Sequence, residues 1–293
     1  MTFTEAFART SVVRRIGRAA VALLVAGAAA AAGASDERNR GSMLALGDSV
    51  VFGYIAADGP GYLNPDNFLA YPDLVGDALK LDVANASCPG ETAAGLISLT
   101  GADNGCRPYR ARFPLHVAYG ATQLDYALAH LAANRRTRLV TLSIGANDGF
   151  LLQAACNGDP ACIQQRMPAA LNTLFANVNT ILANVRASGF KGVLMVVNYY
   201  SLDYGDPAQT GLSAALNQTL AAAAGANGAV VADAFTAFRN VAAAAGGKTC
   251  FTGLLNGDPA NQTQCDVHPS LSGQRLLAAT VAATYRAVRR GDD

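Results

Sequence analysis

Five short apolar runs, separated by longer segments of helical character, constrain the fold most strongly. They cover residues 43–46, 81–87, 139–145, 192–199 and 229–235. Residues that are apolar at successive positions have to be buried on both faces of a strand, which is typical of a parallel sheet. Because helices are needed to cover both faces of such a sheet, the pattern predicts an α/β fold.

The segments between these runs carry apolar residues at three- and four-residue steps, which predicts helices. The predicted helices cover residues 68–80, 119–134, 163–188, 212–224 and 272–288. The remaining segments are rich in Gly, Asn, Asp and Pro and are predicted to be loops, at 53–67, 100–118, 150–162 and 246–266. Ligands of open α/β sheets bind beyond the carboxyl ends of the strands, so we expect the functional residues to follow strand ends.

Residues 1–34 have the parts of a secretory signal peptide. A basic start precedes an apolar run over 19–32, and the leader ends in a small-x-small sequence at Ala34. The run is too short to cross a bilayer comfortably, so no stable membrane span is expected. We predict cleavage near Ala34 and secretion to the extracellular space or the periplasm, with residues 35–293 as a single domain. A retained membrane anchor is the alternative.

Charge argues against nucleic acid as a partner. The full chain has a formal net charge of +1. Removing the leader, with four Arg and one Glu, lowers the charge to about −2. A near-neutral chain lacks the basic surface with which proteins bind nucleic acid or anionic membranes. The expected partner is a small substrate, and we expect the protein to be a monomer.

All six cysteines lie in the predicted mature part. An even number of cysteines behind a signal peptide predicts disulfides formed in an oxidising compartment. Fifteen pairings are possible, but the cysteines fall into three couples that are local in sequence. The predicted bridges are Cys88–Cys106, Cys156–Cys162 and Cys250–Cys265. A metal site is the alternative; it is disfavoured because Cys-x-x-Cys is absent and the histidines are scattered.

Three short motifs follow the first three predicted strands. Ser49, in Gly47-Asp48-Ser49, would hold its hydroxyl above the end of the sheet. Gly90 would let a backbone N–H approach developing negative charge, and the Asn147 amide could donate to an oxyanion. Each motif alone is equally typical of a turn or a helix N-cap.

A histidine near the C-terminus supplies a possible base. His268 precedes the last predicted helix, and an imidazole can accept and return a proton near neutral pH. His116 lies in a predicted loop and His130 in a predicted helix. We expect both of these to be structural or surface residues.

Taken together, the four motifs resemble the SGNH (GDSL-type) hydrolase family. The matching blocks are Gly47-Asp48-Ser49-Val50-Val51-Phe52-Gly53, Gly90-Glu91-Thr92, Gly145-Ala146-Asn147-Asp148 and His268-Pro269. The resemblance implies a three-layer α/β/α, flavodoxin-like fold with a five-stranded parallel sheet. It also implies cofactor-free ester hydrolysis through an acyl-enzyme, with Ser49 as the nucleophile and His268 as the base. The Ser49 N–H, the Gly90 N–H and the Asn147 side chain would form the oxyanion hole.

One position departs from the family pattern. The family usually has Asp three residues before the histidine, and here that position is Cys265. The nearest carboxylate, Asp266, lies two residues before His268, and successive residues of an extended segment alternate sides, so it can share the histidine's face. A backbone carbonyl of Cys265 or Asp266 is the other possible partner. We expect support that is partly backbone, with Asp266 as a further candidate.

Three alternatives concern the substrate and the activity. An esterase or lipase is favoured over a polysaccharide O-deacetylase because Phe113, Leu115, Phe150, Leu151 and Leu152 could line an acyl pocket, although they could equally pack under loops. A non-catalytic secreted binding protein would be expected to lack one of the four motif residues. A flavodoxin-like nucleotide binder would need a glycine-rich phosphate loop after the first strand, where no such sequence occurs.

Overall fold

The computed structural model describes residues 40–56, 59–258 and 261–291, without the side chains of residues 258 and 261–264. The predicted signal peptide lies outside the described residues. In the described part of the chain, no helix combines the length and the apolar character needed to cross a membrane.

A five-stranded parallel sheet forms the centre of the fold. Its strands are β1 (Gly41–Gly47), β2 (Leu81–Asn85), β3 (Thr137–Ser143), β4 (Val193–Val197) and β5 (Val230–Ala232). They pair in the order β2-β1-β3-β4-β5, and every pair is parallel. The central strands are buried on both faces, as β1 shows with Met43 and Leu46 fully inaccessible to solvent. The prediction of a parallel sheet with apolar strands is confirmed.

Helices cover the sheet on both sides and make a three-layer α/β/α fold. They are α1 (Ser49–Phe52), α2 (Tyr71–Leu79), α3 (Ala93–Ile97), α4 (Cys106–Arg110), α5 (Gln123–Ala133), α6 (Ala146–Ala155), α7 (Pro160–Ala187), α8 (Pro207–Ala226), α9 (Ala234–Ala242) and α10 (Leu271–Gly291). Helices α2, α9 and α10 form one packed group, and α5, α7 and α8 form another. The five helices predicted from apolar spacing all occur, with ends shifted by a few residues.

The predicted loop over 150–162 is wrong in large part. Helix α6 occupies its first half, and α7 begins before its end. The polar and glycine-rich sequence that suggested a loop makes only the tight reversal between the two helices. Asn157 and Gly158 take left-handed backbone angles, with φ of 50° and 75°, and Asp159 then caps α7 through a bond from Ala161 N.

The predicted loop over 246–266 also contains regular structure. It includes a short 3₁₀ helix at Cys250–Thr252 and most of an antiparallel hairpin, formed by β6 (Leu255–Asp258) and β7 (Asn261–Pro269). Polar residues dominate β7, so the apolar pattern that identifies a buried strand is absent from its sequence.

The six cysteines lie in the three local couples. The Cα atoms are 5.5 Å apart in Cys88–Cys106 and 5.6 Å apart in both Cys156–Cys162 and Cys250–Cys265. These distances are ordinary for disulfides. The second bridge ties the end of α6 to the start of α7, and the third ties the 3₁₀ helix to β7.

Candidate active site

Ser49 stands where β1 leaves the sheet. Gly47 has φ of 145°, and a Cβ there would lie 2.1 Å from the carbonyl oxygen of Ser143, so only glycine fits this exit. Gln123 accepts a hydrogen bond from the Gly47 N–H (2.6 Å) and donates to its carbonyl (3.1 Å). Asp48 is the N-cap of α1 and accepts from the Val50 N–H. Asp48 thus supplies the helix N-cap that such a motif can form, and Ser49 is the first residue of the short helix.

The hairpin brings His268 to the serine. His268 Nε2 lies 2.9 Å from Ser49 Oγ, and His268 Nδ1 lies 2.7 Å from Asp266 Oδ1. Both side chains come from β7, where residues two apart share a face. We expected support that is partly backbone, but among the described residues the structure places the Asp266 carboxylate, and no backbone carbonyl, at Nδ1. Cys265, which directly precedes Asp266, is bonded to Cys250.

The environment keeps Asp266 ionised. Burial raises the pKa of this carboxyl, but the hydrogen bond to His268 and the nearby imidazole outweigh burial and hold the pKa below its usual range. A negative charge at Nδ1 favours the tautomer in which Nε2 can accept the serine proton.

Gly90 and Asn147 lie after the ends of β2 and β3, the two strands that pair with β1. Gly90 follows β2 in a turn with φ of 82°, and Asn147 lies in the first turn of α6, directly after β3. Asn147 Nδ2 donates to the carbonyl of Glu91 at 2.9 Å. Both residues line the same cavity as Ser49 and His268. The structure thus brings together all four residues that the motifs singled out.

Three carboxyl groups next to these residues in sequence are shielded from solvent: Asp48 and Glu91 are buried, and Asp148 is partly buried. Burial raises the pKa of Asp48 to about 6, against the opposing hydrogen bond from Tyr199 at 2.5 Å. Burial likewise raises the pKa of Glu91 to about 7 and that of Asp148 to about 6. Asp148 also accepts from the Ala93 N–H at the start of α3. Through these hydrogen bonds, Asp48 is connected to the segment after β4 and Asp148 to the start of α3.

A possible metal cluster occurs among the described residues but does not suit a metal ion. Glu91, Asp103 and Cys106 place one potential ligand atom each within 4.8 Å of one another. Cys106 is bonded to Cys88. A disulfide sulfur cannot supply the thiolate that a metal would bind.

The cavity at Ser49 has a volume of about 490 Å³ and is lined by two chemically different sets of residues, which define what we call its polar half and its aliphatic half. Ser49, His268, Gly90 and Asn147 stand in the polar half, together with Asn104, Tyr54 and Tyr109. The other half is aliphatic and is lined from α6, α7 and α8 by Leu152, Ile163, Met167, Leu171, Leu174, Leu212 and Leu216.

The expected lining of an acyl pocket is correct only in part. Phe150 and Leu152 line the cavity, but Leu151, Phe113 and Leu115 are not among the lining residues. Phe113 packs on Tyr62 and Tyr109. Leu115 belongs to a small core cluster around the Cys88–Cys106 bridge. The aliphatic residues of α7 and α8 were missed because in sequence they have the same spacing as core residues.

The other two histidines lie apart from this arrangement. His116 Nε2 is 3.0 Å from the Phe52 carbonyl, and its ring packs on the Phe52 ring. His130 lies in the last turn of α5 beside Tyr126. Neither lines the cavity.

The α/β fold and the Ser49–His268–Asp266 contacts are suited to ester hydrolysis, and a family match supports an ester-hydrolysing enzyme. The sequence profile of the GDSL-like lipase/acylhydrolase family matches residues 45–276. The chain belongs to that family, which confirms the predicted SGNH (GDSL-type) resemblance. No curated relative matches the sequence.

Solved structures share the fold at low sequence identity. A phospholipase A1 from Streptomyces albidoflavus NA297 is 18% identical with a TM-score of 0.54, over 83% of this chain and 99% of its own. An extracellular lipase from Streptomyces rimosus is 18% identical with a TM-score of 0.53, over 83% and 99%. Axe2, an acetylxylan esterase from Geobacillus stearothermophilus, is 15% identical with a TM-score of 0.52, over 84% and 94%.

Proposed function

We propose that the protein is a secreted carboxylic ester hydrolase of the esterase or lipase type, which works through an acyl-enzyme on Ser49. The observation that carries the proposal is the line of contacts from Ser49 Oγ to His268 Nε2 (2.9 Å) and from His268 Nδ1 to Asp266 (2.7 Å). Nucleophile, base and orienting carboxylate lie at hydrogen-bonding distances, at the edge of an apolar cavity.

In the acylation step, Ser49 Oγ attacks the ester carbonyl carbon while His268 Nε2 takes the hydroxyl proton. The carbonyl oxygen becomes an oxyanion and accepts from the Ser49 N–H, the Gly90 N–H and the Asn147 side chain. When the tetrahedral intermediate collapses, His268 returns the proton to the departing alcohol. Asp266 stabilises the imidazolium that exists between these two transfers.

Deacylation repeats the same chemistry with water as the nucleophile. His268 Nε2 takes a proton from water, the hydroxide attacks the acyl carbon, and the second tetrahedral intermediate uses the same donors. Its collapse releases the carboxylic acid and returns the proton to Ser49 Oγ. The residues of this chain suffice for every proton transfer, so we propose a reaction that needs no cofactor.

The aliphatic half of the cavity supports an ester with a long acyl chain. An acetyl group would leave most of the 490 Å³ empty. Each methylene that moves from water into this half contributes about 0.8 kcal/mol, or roughly fourfold in kcat/KM where the contact is kept in the transition state. We therefore expect kcat/KM to rise with acyl length until the aliphatic half is filled.

A polysaccharide O-deacetylase is the second candidate, and the aromatic rings in the polar half support it. Tyr54 and Tyr109 line the cavity, and the Tyr54 ring lies 5.0 Å from the His268 ring. Such rings could bind a sugar that carries the ester. This candidate requires the acetyl ester, rather than longer esters, to be the best substrate.

Acyl-length profiling separates the two candidates. The purified protein is assayed on p-nitrophenyl esters from acetyl to palmitoyl and, beside them, on an acetylated glycan. Ala170→Phe fills part of the aliphatic half, whereas Ala169→Phe changes the adjacent, exposed position of α7. We expect Ala170→Phe to lower kcat/KM at least tenfold on long esters and little on acetate, with Ala169→Phe unchanged. A preference for acetyl esters and the glycan in the unsubstituted protein would favour the deacetylase.

Secretion and the monomeric state belong to the same proposal. The signal-peptide pattern in residues 1–34 and the three disulfides support export to an oxidising compartment. N-terminal sequencing of the exported protein tests cleavage near Ala34, and light scattering of the purified protein tests the monomer.

A further inference from the structure

The proposed role of Asn147 depends on which way its amide points. A carboxamide presents an oxygen on one side and a nitrogen on the other, and only the nitrogen can donate to an oxyanion. A rotation of the amide by half a turn would replace the donor with an oxygen that repels the developing charge. Some contact must therefore select one orientation.

The neighbours of Asn147 select that orientation from two sides. The Glu91 carbonyl can only accept, so the atom that faces it at 2.9 Å must be Nδ2. The Asn147 oxygen then lies on the opposite side, where Asn104 Nδ2 donates to it at 2.7 Å. Asp48 Oδ2, at 3.5 Å from Asn147 Nδ2, adds a weaker contact that favours the same orientation.

Asn104 is itself held against the other proposed oxyanion donor. Its backbone N–H donates to the Gly90 carbonyl at 3.1 Å. A Cβ on Gly90 would lie 2.6 Å from the Asn104 carbonyl oxygen, so the two backbones are in close contact. The next residue but one, Cys106, is bonded to Cys88, which lies just before Gly90. One tethered segment thus contacts Gly90 through its backbone and Asn147 through a side chain.

We propose that Asn104 is a positioning residue, which fixes the amide of Asn147 so that Nδ2 faces the oxyanion. The inference rests on the proposed function, because it takes Asn147 as an oxyanion donor. Asn104 acts through Asn147 and does not need to touch the substrate. Its side chain is exposed at the edge of the cavity, so it can be replaced without disturbing the core.

Two substitutions test the contact. Asn104→Asp has nearly the same shape but presents only acceptors to the Asn147 oxygen, which favours the rotated amide. We expect kcat to fall by about 10²–10³, the loss typical of a removed oxyanion donor, with KM unchanged. Asn104→Ala only removes the bond, and we expect a kcat loss of about tenfold. Asn67→Asp is the matched control: this exposed amide donates to the Gly61 carbonyl in another loop, and kcat should stay within about twofold.

A double-mutant cycle with Asn147→Ala separates positioning from other roles. If Asn104 acts through Asn147, Asn104→Asp should cost less than about twofold in kcat once Asn147 is alanine. Thermal unfolding of each variant checks that the fold is kept, and the exposed position should shift Tm by under about 3 °C.

The outcomes distinguish failure of the inference from failure of the proposed function. An Asn147→Ala enzyme with unchanged kcat removes the oxyanion role, and the inference falls with it. A large loss in Asn147→Ala, combined with unchanged kcat in Asn104→Asp, overturns the inference alone. The same holds if Asn104→Asp costs an equal factor with and without Asn147, or if it raises KM instead of lowering kcat.

Discussion

Replacement of Asp266 by asparagine is the sharpest test of the base. In the present arrangement Asp266 Oδ1 lies 2.7 Å from His268 Nδ1 and Nε2 faces Ser49 Oγ at 2.9 Å. Asp266→Asn keeps the shape of the side chain but removes the negative charge. Its amide nitrogen can also donate to Nδ1, which would stabilise the tautomer that carries its proton on Nε2 and cannot accept from the serine.

The expected loss is large because the pair is partly shielded from water. The exposed fractions of the His268 and Asp266 side chains are 14% and 22%, so solvent screens their interaction less than it screens an exposed surface pair. The same change in a Ser-His-Asp triad costs about 10⁴ in kcat, or about 5.5 kcal/mol of transition-state stabilisation. We expect a loss of about 10³–10⁴ in Asp266→Asn and of similar size in Asp266→Ala.

The assay is kcat on a p-nitrophenyl ester at neutral pH, with thermal unfolding as the check on the fold. Phosphonylation of Ser49 should slow in parallel, because that reaction also needs the base. Asp66→Asn serves as the control, since Asp66 is an exposed residue of a short surface 3₁₀ helix. A loss below about tenfold in both Asp266 variants, with the fold retained, would refute the carboxylate's role. It would mean that a backbone group orients the His268 imidazole.

The remaining predictions concern the nucleophile, the disulfides and a buried acid. Ser49→Ala should abolish hydrolysis with the fold intact, and an organophosphonate should label Ser49 alone; activity in the variant or a label elsewhere contradicts the assignment. Non-reducing peptide mapping should return the three local cystine pairs, and reduction should lower Tm, since each bridge contributes about 2–4 kcal/mol. A long-range pair such as Cys88–Cys265 would contradict the pairing. Burial raises the pKa of Glu91 from 4.5 to about 7, so its stability contribution is present below the unfolded pKa and lost as pH rises through 7. The unfolding free energy should therefore fall less between about pH 5 and 8 in Glu91→Gln, by about 2–3 kcal/mol. Denaturant titrations at several pH values measure this, and a pH dependence equal to that of the unsubstituted protein would refute it.

The sheet and the motif residues could be predicted from the sequence for one physical reason. Parallel strands buried on both faces leave continuous apolar runs, and their carboxyl ends meet at one edge of the sheet. Residues as distant in sequence as Ser49, Gly90 and Asn147 therefore had to converge once the strands were identified. The position of His268 could not be predicted from the sheet alone, because His268 contacts Ser49 from the β6–β7 hairpin, whose sequence has no apolar pattern.

The substrate side of the site was much harder to predict. Met167 and Leu171 in α7, and Leu216 in α8, have the spacing of core residues. Whether such a helix face packs on the sheet or lines a cavity depends on the distance between the helix and the element that faces it. The periodicity of the sequence does not encode that distance. Asn104 was missed for a related reason: its role depends on a contact with Asn147 across 43 positions of sequence, within a segment that has the composition of any polar loop.

The departure from the family pattern before His268 follows from the conformation of β7. With the carboxylate two residues before the histidine, an extended chain places both side chains on one face. The position three residues before His268 then lies on the opposite face, away from the imidazole. Cys265 occupies that position, where its bridge to Cys250 can tether the strand without competing for Nδ1. A carboxylate two residues before the base and a cystine one residue earlier are thus two consequences of the same strand.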